Sequence, residues 1–268
     1  MKTPFNLKVD AHVHSINSIH AYSTIAESAA QAAAQGLECI AITDHFGPMF
    51  LGVSLWQAYV GIRNINNLPP TIYGVRVLSG VEIDIVSTTG ELAYADTYFP
   101  FAPNETVAAQ LLPACDVVIA SYHGFVAPYS SQVNTQMLVG ALRHPYVTIL
   151  GHCDRVHGGF DVEQVVATAK EEHKIIELNC HSLDFGESAV QFIKQLANLC
   201  KQYGVWISVD SDAHNAFEVG QFQKMETLLE SIDFPEELIA TRTLESFLHV
   251  LETQANARKA KFAVVLPS

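Results

Sequence analysis

The chain has 268 residues, of which 49% are apolar and 16% charged, with a formal charge of −13. A chain this long and this apolar can bury a large core, so disorder is excluded, and its negative charge disfavours general binding to nucleic acid. No apolar run reaches the roughly 18 residues of a membrane span, and the first residues lack the apolar segment of a signal peptide. Together with five widely spaced cysteines, expected to be reduced, this predicts a cytoplasmic protein that does not bind membranes.

Short apolar runs alternate with helical patterns along the chain. The runs are rich in Val and Ile, as is typical of parallel strands buried on both faces, and lie at 7–14, 39–45, 75–86, 116–123, 147–153, 174–180 and 205–214. Helical patterns lie at 24–35, 54–67, 104–112, 132–144, 162–173, 188–203, 218–230 and 243–257. A capping box of Thr24 and Glu27 begins the first helix, and Asp161 is the expected N-cap of the helix at 162–173. A hairpin is expected over 88–96.

Seven strands alternating with helices predict an α/β fold, a (β/α) barrel formed by a single domain over residues 1–268 with helices at its C-terminus. A doubly wound open sheet is the alternative. Neither of the glycine-rich nucleotide-binding fingerprints follows any predicted strand, so the sequence gives no sign of a nucleotide site.

Side chains that can bind metals lie at the ends of six of the seven predicted strands. They are His12, His14, His45, Glu82, His123, His152, Asp212 and His214. In barrels, the carboxyl ends of the strands converge on one region, and residues two apart on a strand share a face. Imidazole and carboxylate groups are ligands for zinc, manganese and iron. With His20, the set exceeds the four ligands of one ion and suffices for two or three ions if Glu82 bridges.

The other histidines are interpreted differently. His144 and His173 fall at predicted helix C-termini, where a cation is favourable, and His249 lies in the last helix, so these three are expected to be structural. His181 and His157 remain open as pocket residues. Cys153 is expected to pack rather than to bind metal. Asp10, on the same face as His12 and His14, is expected to orient an imidazole.

The order of the motifs "DAHVHS", "ITDH", "GVEI", "YH", "GH" and "SDAH" resembles the PHP (polymerase and histidinol phosphatase) family, in particular its stand-alone YcdX-type phosphatases. The resemblance extends from about residue 7 to 250. It implies a distorted (β/α)7 TIM-like barrel with three divalent ions, usually zinc, with manganese or iron as alternatives. By position, it implies that His12, His14, Glu82 and Asp212 hold one ion. Glu82 would bridge to a second ion held by His123 and His152, and His20, His45 and His214 would hold the third.

These residues predict a metal-dependent phosphatase that hydrolyses a small phosphate monoester through a metal-bound hydroxide. Glu82, Asp212 and His214 are the expected catalytic residues. Arg155 and His157 are expected to contact the substrate, although a solvated loop charge is an equal alternative for Arg155. The sequence is compatible with a homo-oligomer.

Two other kinds of function are compatible with the sequence. An amidohydrolase-type metal hydrolase would supply a lysine from the fourth strand, where "DVVIASYH" has none. The second alternative is a PHP-type phosphodiesterase or a metal-binding module, and the complete ligand set disfavours a module without catalysis.

Overall fold

The computed structural model describes residues 5–124 and 129–265. The described strands are β1 Val9–Val13, β2 Cys39–Ile42, β3 His45–Phe46, β4 Thr71–Ile72, β5 Val75–Asp84, β6 Tyr98–Phe99, β7 Ala102–Thr106, β8 Val117–Ser121, β9 Ile149–Leu150, β10 Ile175–Asn179 and β11 Ile207–Asp210. The described α-helices are α1 Ile25–Gln35, α2 Leu55–Arg63, α3 Val107–Leu111, α4 Ser131–Leu142, α5 Val162–Glu171, α6 Glu187–Tyr203, α7 Gln223–Glu230 and α8 Leu244–Val265.

Seven strands form a nearly closed parallel barrel. Their order is β1-β2-β5-β8-β9-β10-β11, and each neighbouring pair is parallel. The two ends of this sheet meet where Val13 and Ala213 form a parallel bridge. The predicted seven-stranded TIM-like barrel is therefore confirmed, and the open sheet is excluded.

Two buried aspartates join β1 to β11 at the barrel seam. Oδ1 of Asp10 accepts a hydrogen bond from the Ser211 N–H at 3.0 Å, and its Oδ2 accepts from Ser211 Oγ at 2.6 Å and from the Gly220 N–H at 3.0 Å. Oδ1 of Asp210 accepts from the Ala11 N–H at 2.7 Å. Burial raises the pKa of Asp10 to about 6 despite these hydrogen bonds. The carboxylates thus satisfy backbone donors at the point where the barrel closes.

The last helix covers the amino ends of the barrel strands. The first residues of five strands, together with Phe247 and Val250 of α8, belong to one buried apolar cluster; these first residues are Val9, Cys39, Val117, Ile149 and Ile175. The carboxyl ends are left as the open end of the barrel, which is where a site can form.

The predicted helix starts are confirmed where a cap was recognised. Thr24 caps α1 with Glu27 in a reciprocal capping box, and Asp161 caps α5. The hairpin predicted over 88–96 is wrong in extent. The segment forms one antiparallel bridge, in which Leu92 pairs with Ile85 before it in the chain. The antiparallel pair that does form, β6 with β7, follows it. α7 begins at Gln223 rather than near 218, because a short 3-10 turn precedes it.

His144 lies just after α4, as predicted, but it is not the cation at that helix end. Burial, reinforced by the nearby Lys174 ammonium, lowers the pKa of His144 to about 4. Nζ of Lys174 instead donates hydrogen bonds to the carbonyls of His144 and Val147, at 3.2 and 2.5 Å. The cation beside this helix end is therefore Lys174.

Replacing His144 with Gln is expected to remove part of the acid sensitivity of the fold. The pKa of His144 is lower in the folded chain than in the unfolded chain. Between about pH 6.5 and 4, His144 is therefore protonated in the unfolded chain and neutral in the folded chain. Stability from this group is present at pH 7 and falls by about 2 kcal/mol at pH 5. Urea unfolding of wild type, His144→Gln and the exposed control His249→Gln at both pH values tests this. Equal losses in all three proteins would contradict it.

Within the two described stretches, no helix combines the length and the apolar character needed to cross a membrane. All five cysteines are free thiols.

Candidate metal centre

The structure brings the nine predicted ligands together at the open end of the barrel. His12 and His14 lie at the end of β1, His20 lies in the loop before α1, and His45 begins β3. Glu82 lies near the end of β5, and the others follow β8, β9 and β11; these are His123, His152, Asp212 and His214. Neighbouring imidazole rings form a continuous cluster, with centroids of successive pairs 4.3–5.1 Å apart.

Three of these residues, His12, His14 and Asp212, present atoms at the spacing of ligands on one metal ion, and Glu82 lies next to them. Nε2 of His12 lies 3.1 Å from Nε2 of His14, 3.4 Å from Oε2 of Glu82 and 3.5 Å from Oδ1 of Asp212. Nε2 of His14 lies 3.5 Å from the same Glu82 oxygen and 3.3 Å from the same Asp212 oxygen. Ligands about 2.0–2.1 Å from a tetrahedral zinc ion are about 3.3 Å apart. The atoms of His12, His14 and Asp212 thus form one group that could hold an ion of this size, and Oε2 of Glu82 lies beside both imidazoles of that group.

Glu82 faces two sides of the cluster. Its Oε1 lies 2.8 Å from Nε2 of His152 and 3.3 Å from Nε2 of His123. Its Oε2 faces His12 and His14, and lies 2.7 Å from Nδ1 of His45. One buried carboxylate therefore contacts both the first group and a second group, which is the position that a bridging ligand would occupy.

The third predicted ligand group, formed by His20, His45 and His214, overlaps with the first group at His14. His14, His45 and His214 offer ligand atoms that all lie within 4.8 Å of one another. The ring of His20 lies beside two of them, with centroids 4.3 Å from His214 and 5.0 Å from His45. Burial and the neighbouring His214 and His45 lower the pKa of His20 to about 4, so its imidazole is neutral at pH 7.

Hydrogen bonds from surrounding residues fix several rings so that one nitrogen faces the cluster. Nδ1 of His12 lies 2.7 Å from Oε1 of Glu177, and Nδ1 of His123 lies 2.8 Å from Oδ1 of Asp84. Nδ1 of His14 lies 2.9 Å from Oγ of Ser18. If each Nδ1 carries the proton, Nε2 is left with a lone pair, as a metal ligand requires.

The prediction that Asp10 orients an imidazole is wrong, because Asp10 bonds across the barrel seam and Glu177 takes the predicted role. Glu177 is fully buried in β10, and its second oxygen accepts a hydrogen bond from the His152 N–H at 2.5 Å. Sequence reasoning missed it, although a glutamate inside the apolar run "KIIELN" was a usable signal, since an unpaired carboxylate is almost never fully buried.

At the two carboxyl groups of the cluster, burial and the neighbouring positive charges have opposite effects on the pKa, and the charges prevail. Burial opposes ionisation of Glu82, but His123, His12 and His45 hold the pKa of its carboxyl well below the usual range. Burial likewise opposes ionisation of Asp212, while His12, His14 and Arg155 lower its pKa strongly. Both groups are therefore carboxylates at neutral pH, which suits the binding of cations.

Several buried atoms of the cluster lack a hydrogen-bond partner among the described residues. They are both ring nitrogens of His45, Nδ1 of His152, Nε2 of His214 and Oε2 of Glu82. Nδ1 of His45 lies close to Oε2 of Glu82, but the two atoms are not aligned as a hydrogen bond. Unpaired buried polar atoms are costly, and their convergence is the donor set that a divalent metal would satisfy.

Arg155 is held against Asp212 at the edge of the cluster. Its guanidinium donates hydrogen bonds to Oδ2 of Asp212 at 3.1 Å, to Oδ1 of Asn179 at 2.7 Å and to Oγ of Ser182 at 3.2 Å. This arrangement excludes the alternative of a freely solvated charge. Asp212 itself has a φ of +56°, a left-handed conformation that non-glycine residues seldom adopt and that occurs at functional sites.

The remaining candidates, His157, His181 and Cys153, lie in three different surroundings. His157 is exposed and lines a cleft of about 940 Å³ that opens beside His123 and His152. The ring of His181 stacks 6.4 Å from that of His214, outside this cleft. Cys153 is buried in the main apolar core, as predicted, and burial raises the pKa of its thiol well above the usual value.

Comparison with known proteins agrees with this geometry. The model of the PHP domain matches residues 10–210. A protein of Acetivibrio thermocellus named "Probable phosphatase" is 38% identical over 240 residues, which cover 89% of this chain and 92% of the relative. A protein of Caldanaerobacter subterraneus, also named a probable phosphatase, is 36% identical over 249 residues, which cover 92% of this chain and 91% of the relative. The chain therefore belongs to the PHP-domain family.

A solved structure shares the fold. Histidinol phosphate phosphatase of Lactococcus lactis, crystallised with zinc, L-histidinol and phosphate, aligns with a TM-score of 0.60 at 18% identity, covering 85% of this chain and 94% of that one. At this identity the likeness concerns the fold. The family and its full-length relatives support a hydrolase that acts on phosphate esters, and the His, Asp and Glu groups support the use of divalent metal.

Proposed function

We propose that this protein is a metal-dependent phosphatase that hydrolyses a small phosphate monoester at a centre of three divalent ions, zinc in the first place and manganese or iron as alternatives. The observation that carries the proposal is the group of ligand atoms from His12, His14 and Asp212, which lie 3.1–3.5 Å apart, with Oε2 of Glu82 at 3.4 and 3.5 Å from the two imidazoles.

In this proposal, His12, His14, Glu82 and Asp212 would hold one ion, and Glu82, His123 and His152 would hold a second. The third ion is assigned to His20, His45 and His214, which stack around one another at the rim. His14 lies close enough to His45 and His214 to be shared between the first and third groups.

Bound divalent ions supply an activated water as the nucleophile and neutralise the phosphoryl oxygens. Glu82, Asp212 and His214 are the proposed catalytic residues because their side chains hold the ions around the reacting phosphate. Glu177 and Asp84 hold the rings of His12 and His123 in place.

Arg155 and His157 are the proposed substrate contacts. Arg155 has five N–H donors, of which the recorded hydrogen bonds use three, so it can position Asp212 and still donate to a phosphate oxygen. His157 is exposed on the wall of the adjoining cleft, where the alcohol part of the ester would lie.

Removing the metal is expected to abolish phosphate release, and adding zinc or manganese back is expected to restore it. The assay measures inorganic phosphate from a panel of sugar, amino-alcohol and aryl phosphates that includes histidinol phosphate, after chelation, dialysis and reconstitution. Circular dichroism on the same samples separates loss of activity from loss of fold. A metal-replete protein that leaves the whole panel untouched would overturn the proposed function.

We also propose a cytoplasmic location, which is supported by the five free cysteines, since oxidising compartments favour disulfides. The small phosphorylated substrate is the proposed partner, and a homo-oligomer is compatible with the proposal.

A further inference from the structure

A cleft much larger than a phosphate group adjoins the metal centre. Its volume is about 940 Å³, and His123, His152 and Arg155 form the side next to the cluster. Pockets of about 300–1,000 Å³ hold whole drug-sized ligands. The cleft therefore has room for a substantial alcohol portion of a phosphate ester.

The walls away from the metal centre are largely aromatic and aliphatic. Phe185 precedes α6, and Ala189 and Phe192 follow on its first turns. The ring of Phe192 packs edge-to-face on Phe160 at 5.6 Å, and Val156 adds an aliphatic side chain. A wall of rings that pack on one another is a preformed surface for another ring.

Phe185 is a strongly exposed member of this wall, with 63% of the residue accessible to solvent. The guanidinium of Arg155 lies over its ring at 5.4 Å, so the same arginine contacts both the ring and Asp212. Phe185 is part of the contiguous apolar wall that includes Val156 and Phe192, and contiguous apolar surfaces of this kind mark ligand-binding grooves. This ring is placed to stack against a group attached to the bound phosphate.

We propose that the preferred substrate carries an aromatic ring, or an apolar group of that size, on its alcohol, and that Phe185 and Phe192 bind it. The inference rests on the proposed phosphatase function and deepens it. It places the phosphate at the ligand cluster beside Arg155 and the ring in the cleft, and it makes the two phenylalanines specificity-determining residues.

The test compares two esters whose leaving alcohols are both primary and aliphatic, so that the leaving groups have similar reactivity. These are 2-phenylethyl phosphate and 2-hydroxyethyl phosphate, and the readout is the ratio of their kcat/KM values. Wild type is expected to favour the phenyl ester by about tenfold or more, the usual effect of burying a side chain of this size. Phe185→Ala and Phe192→Ala are expected to lower the ratio several-fold, chiefly through KM.

Two further variants sharpen the result. Phe185→Leu retains an apolar surface and is expected to keep most of the preference. Phe217 is 83% exposed and follows His214 by three residues but does not line the cleft, so Phe217→Ala is expected to keep the wild-type ratio. A wild-type ratio near one, or a ratio retained in both alanine variants, would overturn the inference while phosphate release still supports the phosphatase. Hydrolysis of neither ester would count against the proposed function itself and remove the inference with it.

Discussion

Replacing Glu82 with Gln is expected to lower kcat for phosphate release by about a thousandfold, the scale at which a single electrostatic contact to the reacting group acts. The carboxylate is fully buried, and its two oxygens face imidazoles on both sides of the cluster. The amide removes one anionic oxygen and turns an N–H group toward nitrogens that should point their lone pairs at an ion. Bound metal per chain, measured by mass spectrometry of the dialysed protein, is expected to fall together with kcat.

Glu105→Gln is the matched control, because Glu105 is exposed on β7 and lies outside the ligand cluster. It makes the same chemical change and is expected to alter kcat by less than about twofold. A Glu82→Gln protein that is folded, keeps its full metal content and retains wild-type kcat would contradict the assignment of Glu82 as the bridging ligand.

Replacing Asp10 with Ala is expected to lower the free energy of unfolding by about 3 kcal/mol or more. The substitution leaves the Ser211 N–H, the Ser211 hydroxyl and the Gly220 N–H without their acceptor at the barrel seam. Each donor deprived of its partner in a buried place costs about 1–3 kcal/mol. Urea unfolding of the metal-free protein measures the difference without a contribution from bound ions.

Asp96→Ala serves as the control for Asp10→Ala, since Asp96 is exposed and accepts one long hydrogen bond from Thr97 at 3.4 Å. Its stability is expected to stay within about 0.5 kcal/mol of wild type. If Asp10→Ala were equally harmless, the two carboxylates would not be what closes the barrel between β1 and β11.

The order of strands and the polar residues at their ends were predictable because both follow from simple periodicity. Runs rich in Val and Ile mark strands buried on both faces, and parallel strands in a barrel must converge at their carboxyl ends. This reasoning places His12, His45 and Asp212 at one end of the barrel without any knowledge of contacts between them, and the structure brings them together there.

The failed predictions involve contacts that periodicity does not encode. Asp10 was expected on the face of His12 from strict alternation, but the pairing of β1 with β2 is irregular between Asp10 and Val13. An irregularity of this kind shifts which side chains share a face, so Asp10 bonds across the seam while Glu177, distant in sequence, reaches His12. The low pKa of His144 likewise depends on burial and on the charge of Lys174, neither of which the pattern of residues around His144 reveals.

Anomalous diffraction from a crystal of the purified protein, recorded at the absorption edges of zinc, manganese and iron, tests the central claim most directly. The account predicts one peak about 2.0–2.2 Å from Nε2 of His12, Nε2 of His14 and the facing oxygens of Glu82 and Asp212, with further peaks beside His123 and His152 and beside His45 and His214. An active crystal with no anomalous peak among these side chains would contradict it.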